Sequence, residues 1–104
     1  MRRGEVWWAE LPQPWSARPL LLLHRDAAYA ALTSVLAAEV TRTIRDIPSC
    51  VLLTREDGMP YRCEVNLDNL LTVPVSRLLR PMTALRAHKL AAVDEALRFV
   101  LALG

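Results

Sequence analysis

One arginine stands at the head of the most apolar run in the chain. Arg18-Pro19 is followed by Leu20-Leu21-Leu22-Leu23 and then His24. A guanidinium stays charged in a protein and offers a planar fork of donors. At the mouth of a rigid strand it is well placed to grip a phosphate. The same residue would serve equally as a solvated charge at a strand end. Trp15 sits just before it, at the tip of the proline-punctuated loop Pro12-Gln13-Pro14-Trp15-Ser16-Ala17. Loops carry binding residues more often than cores do. His24 has a side chain suited to proton transfer, but six residues of strand set it about 20 Å from Arg18. It is read as a surface residue at a strand end, and His88 is set aside in a helical segment. Cys50 and Cys63 form no CxxC and have no histidine at ligand spacing, so no metal site is expected. Two buried free thiols are the simpler reading, with a single disulfide left open.

Composition limits what these residues can belong to. A chain of 104 residues makes one domain, 1–104, with a core of modest size. Apolar residues make up 53% of it, which excludes a disordered chain. So apolar a small domain commonly hides part of that surface in a dimer. The net charge of +2 excludes neither nucleic acid nor a neutral substrate. Lys89 is the only lysine. An arginine-only set of bases suits bidentate phosphate recognition, and a coding bias toward Arg, Ala and Leu explains it as well. Glu5 and Glu10 break the N-terminal apolar pattern, so no signal peptide is expected. No run reaches the ~20 apolar residues of a membrane helix. The expected location is the cytoplasm.

The elements that must position Arg18 and Trp15 follow in order. Glu5–Leu11 mixes β-formers with charges and reads as a strand, with Trp7 and Trp8 on opposite faces. The leucine run reads as a strand buried on both faces, with Pro19 near its first residue. Asp26 caps a short helical turn over 27–32. Residues 33–40 form a further strand and deliver the polar loop Thr41–Asp46. Cys50–Leu53 is a strand, and Arg55–Pro60 is a turn rich in breakers. Cys63–Leu67 and Leu70–Pro74 read as two strands separated by Asp68-Asn69. Arg77–Leu85 is a last strand, kinked at Pro81. From about Arg86 the period changes to that of an amphipathic helix carrying Leu90, Val93 and Leu97. Many short strands in so few residues indicate a small barrel.

Four stretches together resemble one family. They are Arg3-Gly4-Glu5-Val6-Trp7-Trp8, Arg18-Pro19 with its aliphatic strand, Val40-Thr41-Arg42-Thr43-Ile44-Arg45-Asp46-Ile47-Pro48, and Val65-Asn66-Leu67-Asp68-Asn69-Leu70-Leu71-Thr72-Val73. Taken in order, with the helix around Val93-Asp94-Glu95-Ala96-Leu97, they are similar to the MazF/PemK toxins. The resemblance implies a mainly β fold with a C-terminal helix, a small SH3-like β-barrel of the type shared with CcdB. It implies a toxin of a type II toxin–antitoxin system that cleaves single-stranded RNA without a metal or cofactor. The implied partners are a second copy of the chain and a cognate antitoxin whose disordered C-terminal segment fills the RNA groove. DNA would be reached only through that antitoxin, and no membrane is involved.

The family's catalytic arginine and threonine map onto Arg18 and Thr41. Arg18 would stabilise the charge that builds on the non-bridging oxygens when a ribose 2′-OH attacks its own phosphate. The Thr41 hydroxyl would donate to a phosphate oxygen or orient the attacking group. Neither is an ordinary general base, so the base is unassigned. Trp15, Arg42, Thr43, Asn66, Asp68 and Asn69 are candidate RNA contacts. Turn chemistry accounts for the last three equally well, and solvation for the loop charges. The chain departs from the family in its short proline-rich loop before Arg18, and in Leu71, Leu79, Thr83 and Arg86. The cleavage sequence therefore does not carry across. Two other functions fit the fold: a non-enzymatic poison of DNA gyrase, disfavoured by the Leu101-Ala102-Leu103-Gly104 ending, and a module that has lost catalysis and only binds its antitoxin and operator DNA.

Overall fold

Burial on both faces is what the leucine run achieves. In the computed structural model, which describes residues 1–104, Leu20 and Leu22 point into one apolar cluster and Leu21 and Leu23 into another. The strand β2 (Ala17–Leu22) lies inside an antiparallel sheet, between β1 (Glu5–Glu10) and β3 (Ser34–Thr41). The remaining strands are β4 (Cys50–Leu53), β5 (Cys63–Pro74) and β6 (Leu78–Ala84). The short helix α1 spans Ala28–Ala31 and α2 spans Ala87–Val100. The order across the sheet is β4-β5-β3-β2-β1-β6.

The sheet curls into a half-barrel. Its edges, β4 and β6, do not pair with each other. A 3-10 turn, Arg55–Asp57, links the two sides instead. Thr83 Oγ1 of β6 donates to the Asp57 carbonyl at 2.7 Å. Gly58 ends the turn at φ +89, and a Cβ there would fall 2.2 Å from Thr83 Oγ1. Only glycine fits that conformation and that approach. The larger apolar cluster fills the concave side, where α2 contributes Val93 and Ala96. Lys89 of α2 donates to the Leu52 carbonyl of β4 at 2.8 Å. No helix is long and apolar enough to cross a membrane.

Several expectations need correction. Cys63–Leu67 and Leu70–Pro74 are not two strands but one twelve-residue strand, β5. Asp68-Asn69 lies in a bulge of that strand, with Leu67. Ala38 pairs with Leu70 while the next residue, Glu39, pairs with Asn66. The bulge absorbs the Asx residues without ending the ladder. Asn66 Oδ1 closes it by accepting from the Asp68 N–H at 3.0 Å. Asp26 does not cap α1, whose N-cap is Ala27 with no side-chain bond. Its carboxylate accepts from the Arg3 N–H instead, at 2.8 Å. His24 is half-buried rather than a surface residue, and its Nδ1 accepts from the Leu36 N–H at 2.6 Å. Neither Trp7 nor Trp8 is fully buried. Pro81 sits in the edge strand β6, where register shifts in the β1 ladder absorb it.

Candidate functional site

The ladder between β2 and β3 fixes which side chains share a face. Leu20 pairs with Glu39, Leu21 with Ala38 and Leu22 with Ala37. Directly paired residues point to the same side, and alternate residues follow them. Arg18 and Glu39 are therefore on the face of Leu20, away from the larger core. The ladder ends at Leu20 and Glu39; by alternation Arg18 and Thr41 lie on that same face, and Thr41 falls outside the cleft that Arg18 lines. The two family-derived catalytic positions thus share a surface, set by the pleat of two adjacent strands.

Arg18 is not a free charge. Its Nη1 donates to Glu39 Oε1 at 2.7 Å, with both side chains partly buried. The other Glu39 oxygen accepts from Asn69 Nδ2. Arg18 Nε is buried and has no hydrogen-bond partner. A buried donor left without an acceptor costs about 1–3 kcal/mol. These groups line a cleft of about 410 Å³ together with Trp15, Arg77 and apolar residues that include Leu71 and Val73. Trp15 is 57% exposed, a free aromatic face beside the guanidinium. Arg77 and Glu39 were not singled out from sequence. Nothing in the sequence marks Glu39 except its place in β3, two residues before Thr41.

The second polar loop is held by a buried acid. Glu64 of β5 is 2% exposed and pairs with Thr41 in the ladder. Its oxygens accept from the Arg45 and Asp46 N–H groups, each at 3.0 Å. Burial alone would raise its pKa. The two backbone donors, with Cys50 and the Arg45 charge, outweigh that and hold the carboxyl below the usual carboxylate range. The clamp shapes the loop that follows Thr41, where Asp46 adopts φ +52. Thr41 Oγ1 accepts from the Thr43 N–H at 3.2 Å, which leaves its own proton free to donate.

Not every candidate contact joins the cleft. Trp15, Arg18 and Asn69 line it together. Arg42 instead lies over the Tyr61 ring, 4.3 Å from its centre, a cation–π contact on the neighbouring loop. Thr43 and Asp68 are exposed and Asn66 is nearly buried against Cys50. The two thiols are free. Burial pushes the Cys63 thiol up to about 11. Burial and then the Glu64 charge raise that of Cys50. Such thiols are poor nucleophiles. Tyr29, pushed up to about 12 mainly by burial, donates to the His24 carbonyl at 3.0 Å.

Known proteins share both the sequence and the shape. Residues 2–101 match the model of the "PemK-like, MazF-like toxin of type II toxin-antitoxin system" family. A protein of Mycobacterium tuberculosis described as probable endoribonuclease MazF5 is 40% identical over 96 residues, covering 91% of this chain and 87% of the relative. The solved structure of M. tuberculosis toxin MazF-mt6 superposes with a TM-score of 0.88 at 31% identity, covering 96% of this chain and 98% of that one. A mycobacterial endoribonuclease solved in complex with its cognate antitoxin gives a TM-score of 0.88 at 25% identity, covering 100% of this chain and 97% of that one.

Proposed function

The chain belongs to the PemK-like, MazF-like toxin family of type II toxin–antitoxin systems, and from that premise we propose that it cleaves single-stranded RNA at selected sequences through Arg18 and Thr41. One observation carries the reading. Arg18 stands in a cleft with an unsatisfied buried donor, beside an exposed tryptophan. That pairs a phosphate grip with a surface on which a base can stack.

The reaction starts from the ribose itself. The 2′-OH attacks the adjacent phosphorus, the P–O5′ bond breaks, and a 2′,3′-cyclic phosphate and a 5′-OH result. RNA thus supplies its own nucleophile, and no metal or cofactor is required. Charge gathers on the non-bridging oxygens, where Arg18 stabilises it and the Thr41 hydroxyl donates a further bond. The active form is a homodimer in the cytoplasm. The cognate antitoxin blocks it with a disordered C-terminal segment, and any DNA contact runs through that antitoxin. Trp15 and Asn69 contact RNA within the cleft. Arg42 and Thr43, in the loop after β3, and Asp68, on the β5 bulge, lie beyond its lining and act as outer contacts, while the buried Asn66 shapes that bulge.

The test is cleavage of a long single-stranded RNA in EDTA, with the cuts mapped. Discrete cuts are expected, and a 2′-deoxy sugar on the 5′ side of a cut should abolish that cut. Arg18→Ala should lose a factor of ~100 to 1,000 in rate, the typical worth of one preorganised donor. Thr41→Val should lose less. Thr41→Val should melt close to the wild type, because it empties no core volume, and Arg18→Ala should lose only the partly exposed ion pair with Glu39. Unchanged cutting of the 2′-deoxy substrate would exclude this mechanism.

A further inference from the structure

We propose that Glu39 is the general base of this reaction, the group that removes the proton from the attacking 2′-hydroxyl. The inference rests on the endoribonuclease reading above. Of the residues that line the cleft, Arg18, Arg77 and Glu39 carry charge, and Glu39 is the one acid among them. The guanidiniums stay protonated and cannot accept. The histidines are elsewhere: the His24 Nδ1 is committed to the Leu36 N–H, and His88 lies exposed on α2. A base for this cleft has to be Glu39.

Its geometry fits the role. Arg18 spends Nη1 on Glu39 and keeps its buried Nε free. One guanidinium can therefore hold a carboxylate on one side and a phosphate on another. A base and a phosphate grip fixed to the same planar group are fixed relative to each other. Asn69 holds the second Glu39 oxygen from β5. That bond restricts rotation of the carboxylate, and Asn69 stands on the bulge that interrupts the β3–β5 ladder beside Glu39. Thr41 follows two residues along the same face of β3.

A Glu39 oxygen takes the 2′-OH proton as the O2′–P bond forms. The P–O5′ bond breaks, and its electron pair stays on O5′, which takes a proton from water. The hydroxide left behind is neutralised by the proton on Glu39, and the carboxylate is regenerated. The charged groups facing Glu39 are Arg18 from β2 and Arg77 from the turn after β5, both permanently cationic.

The experiment measures kcat and KM across the neutral pH range on a short RNA spanning a mapped cut. It compares the wild type with Glu39→Gln and Glu39→Asp, and records thermal unfolding of each. Glu39→Gln keeps an oxygen for Arg18 and loses the basic site. Its kcat should fall ~100- to 10,000-fold, the range for a general base, with KM little changed. Its residual rate should climb steadily with hydroxide while the wild type levels off. Glu39→Asp should recover part of the rate and the plateau. Cutting by Glu39→Gln near the wild-type rate, with the wild-type pH profile, would overturn the assignment and leave the endoribonuclease reading intact. So would a loss confined to KM or to melting temperature, because that would make Glu39 a support for Arg18 only. Intact RNA with the wild type itself would instead remove the endoribonuclease reading, and this assignment with it.

Discussion

Two acids organise the functional face, and they differ in what they hold. Glu39 holds a side chain, Arg18, at 2.7 Å. Glu64 holds backbone, the Arg45 and Asp46 N–H groups of the loop after Thr41. Hydrogen bonds to a charged acceptor contribute about 1.5–3 kcal/mol each in favourable cases. Glu64→Gln keeps the shape and removes the charge, so it should destabilise the fold at neutral pH. The pH dependence has a definite sign. The folded pKa of Glu64 is lowered, so its contribution is fully present above the unfolded value of about 4.3. It is lost as pH falls through the still lower folded value. The gap in melting temperature between wild type and Glu64→Gln should be widest near neutrality and close in acid. A gap independent of pH would mean that the carboxylate charge does not hold the loop.

At the scale of elements, the sequence was most readable where a pattern repeats. The four leucines announced β2, and the period change near Arg86 announced α2, because burial writes itself into spacing. The residues of β5 read as two strands in sequence and form one. Asp68-Asn69 has the chemistry of a turn, but cross-strand pairing with β3 on both sides turned it into a bulge, and pairing is invisible in one strand's own residues. For the same reason Arg18 was found and Glu39 was not. A cation at a strand mouth is conspicuous, whereas a lone glutamate in an apolar strand becomes meaningful only when the ladder places it beside Arg18. The start of α2 can be tested directly. Arg86 is the N-cap, in extended conformation and with no side-chain bond to the helix. Arg86→Ser would supply an oxygen to the free N–H groups of the first turn. A good cap is worth about 0.5–2 kcal/mol, which in a domain of this size raises the melting temperature by several degrees. RNA cleavage should not change, because Arg86 does not line the cleft. An unaltered melting curve would show that the first turn is already satisfied by water.

At the scale of the whole molecule, the proposed function asks one cleft to serve two ligands. Its walls are partly apolar, with Leu20, Leu71 and Val73, and its charges are two arginines against one glutamate. RNA would use the arginines and the Trp15 face. A disordered antitoxin tail carrying acidic and apolar residues would use the arginines and the walls. On that reading both would require Arg18, and the antitoxin would inhibit by occupation rather than by distortion. The expected outcome is strict competition. With an uncleavable RNA, deoxy at the cut, the apparent Kd for RNA should rise in proportion to the concentration of tail peptide, without reaching a plateau. Salt should weaken RNA binding more steeply than tail binding, because phosphates release counterions along the whole contact while part of the tail's affinity is apolar burial. Arg18→Ala should weaken both ligands, and Trp15→Ala should weaken RNA more, since base–aromatic stacking contributes about 1–3 kcal/mol per base. The measurement is fluorescence anisotropy of labelled RNA titrated with unlabelled tail, at low and at moderate salt. A plateau in the apparent Kd, reporting RNA and tail bound at once to one cleft, would contradict inhibition by occupation and would require a second site on the fold.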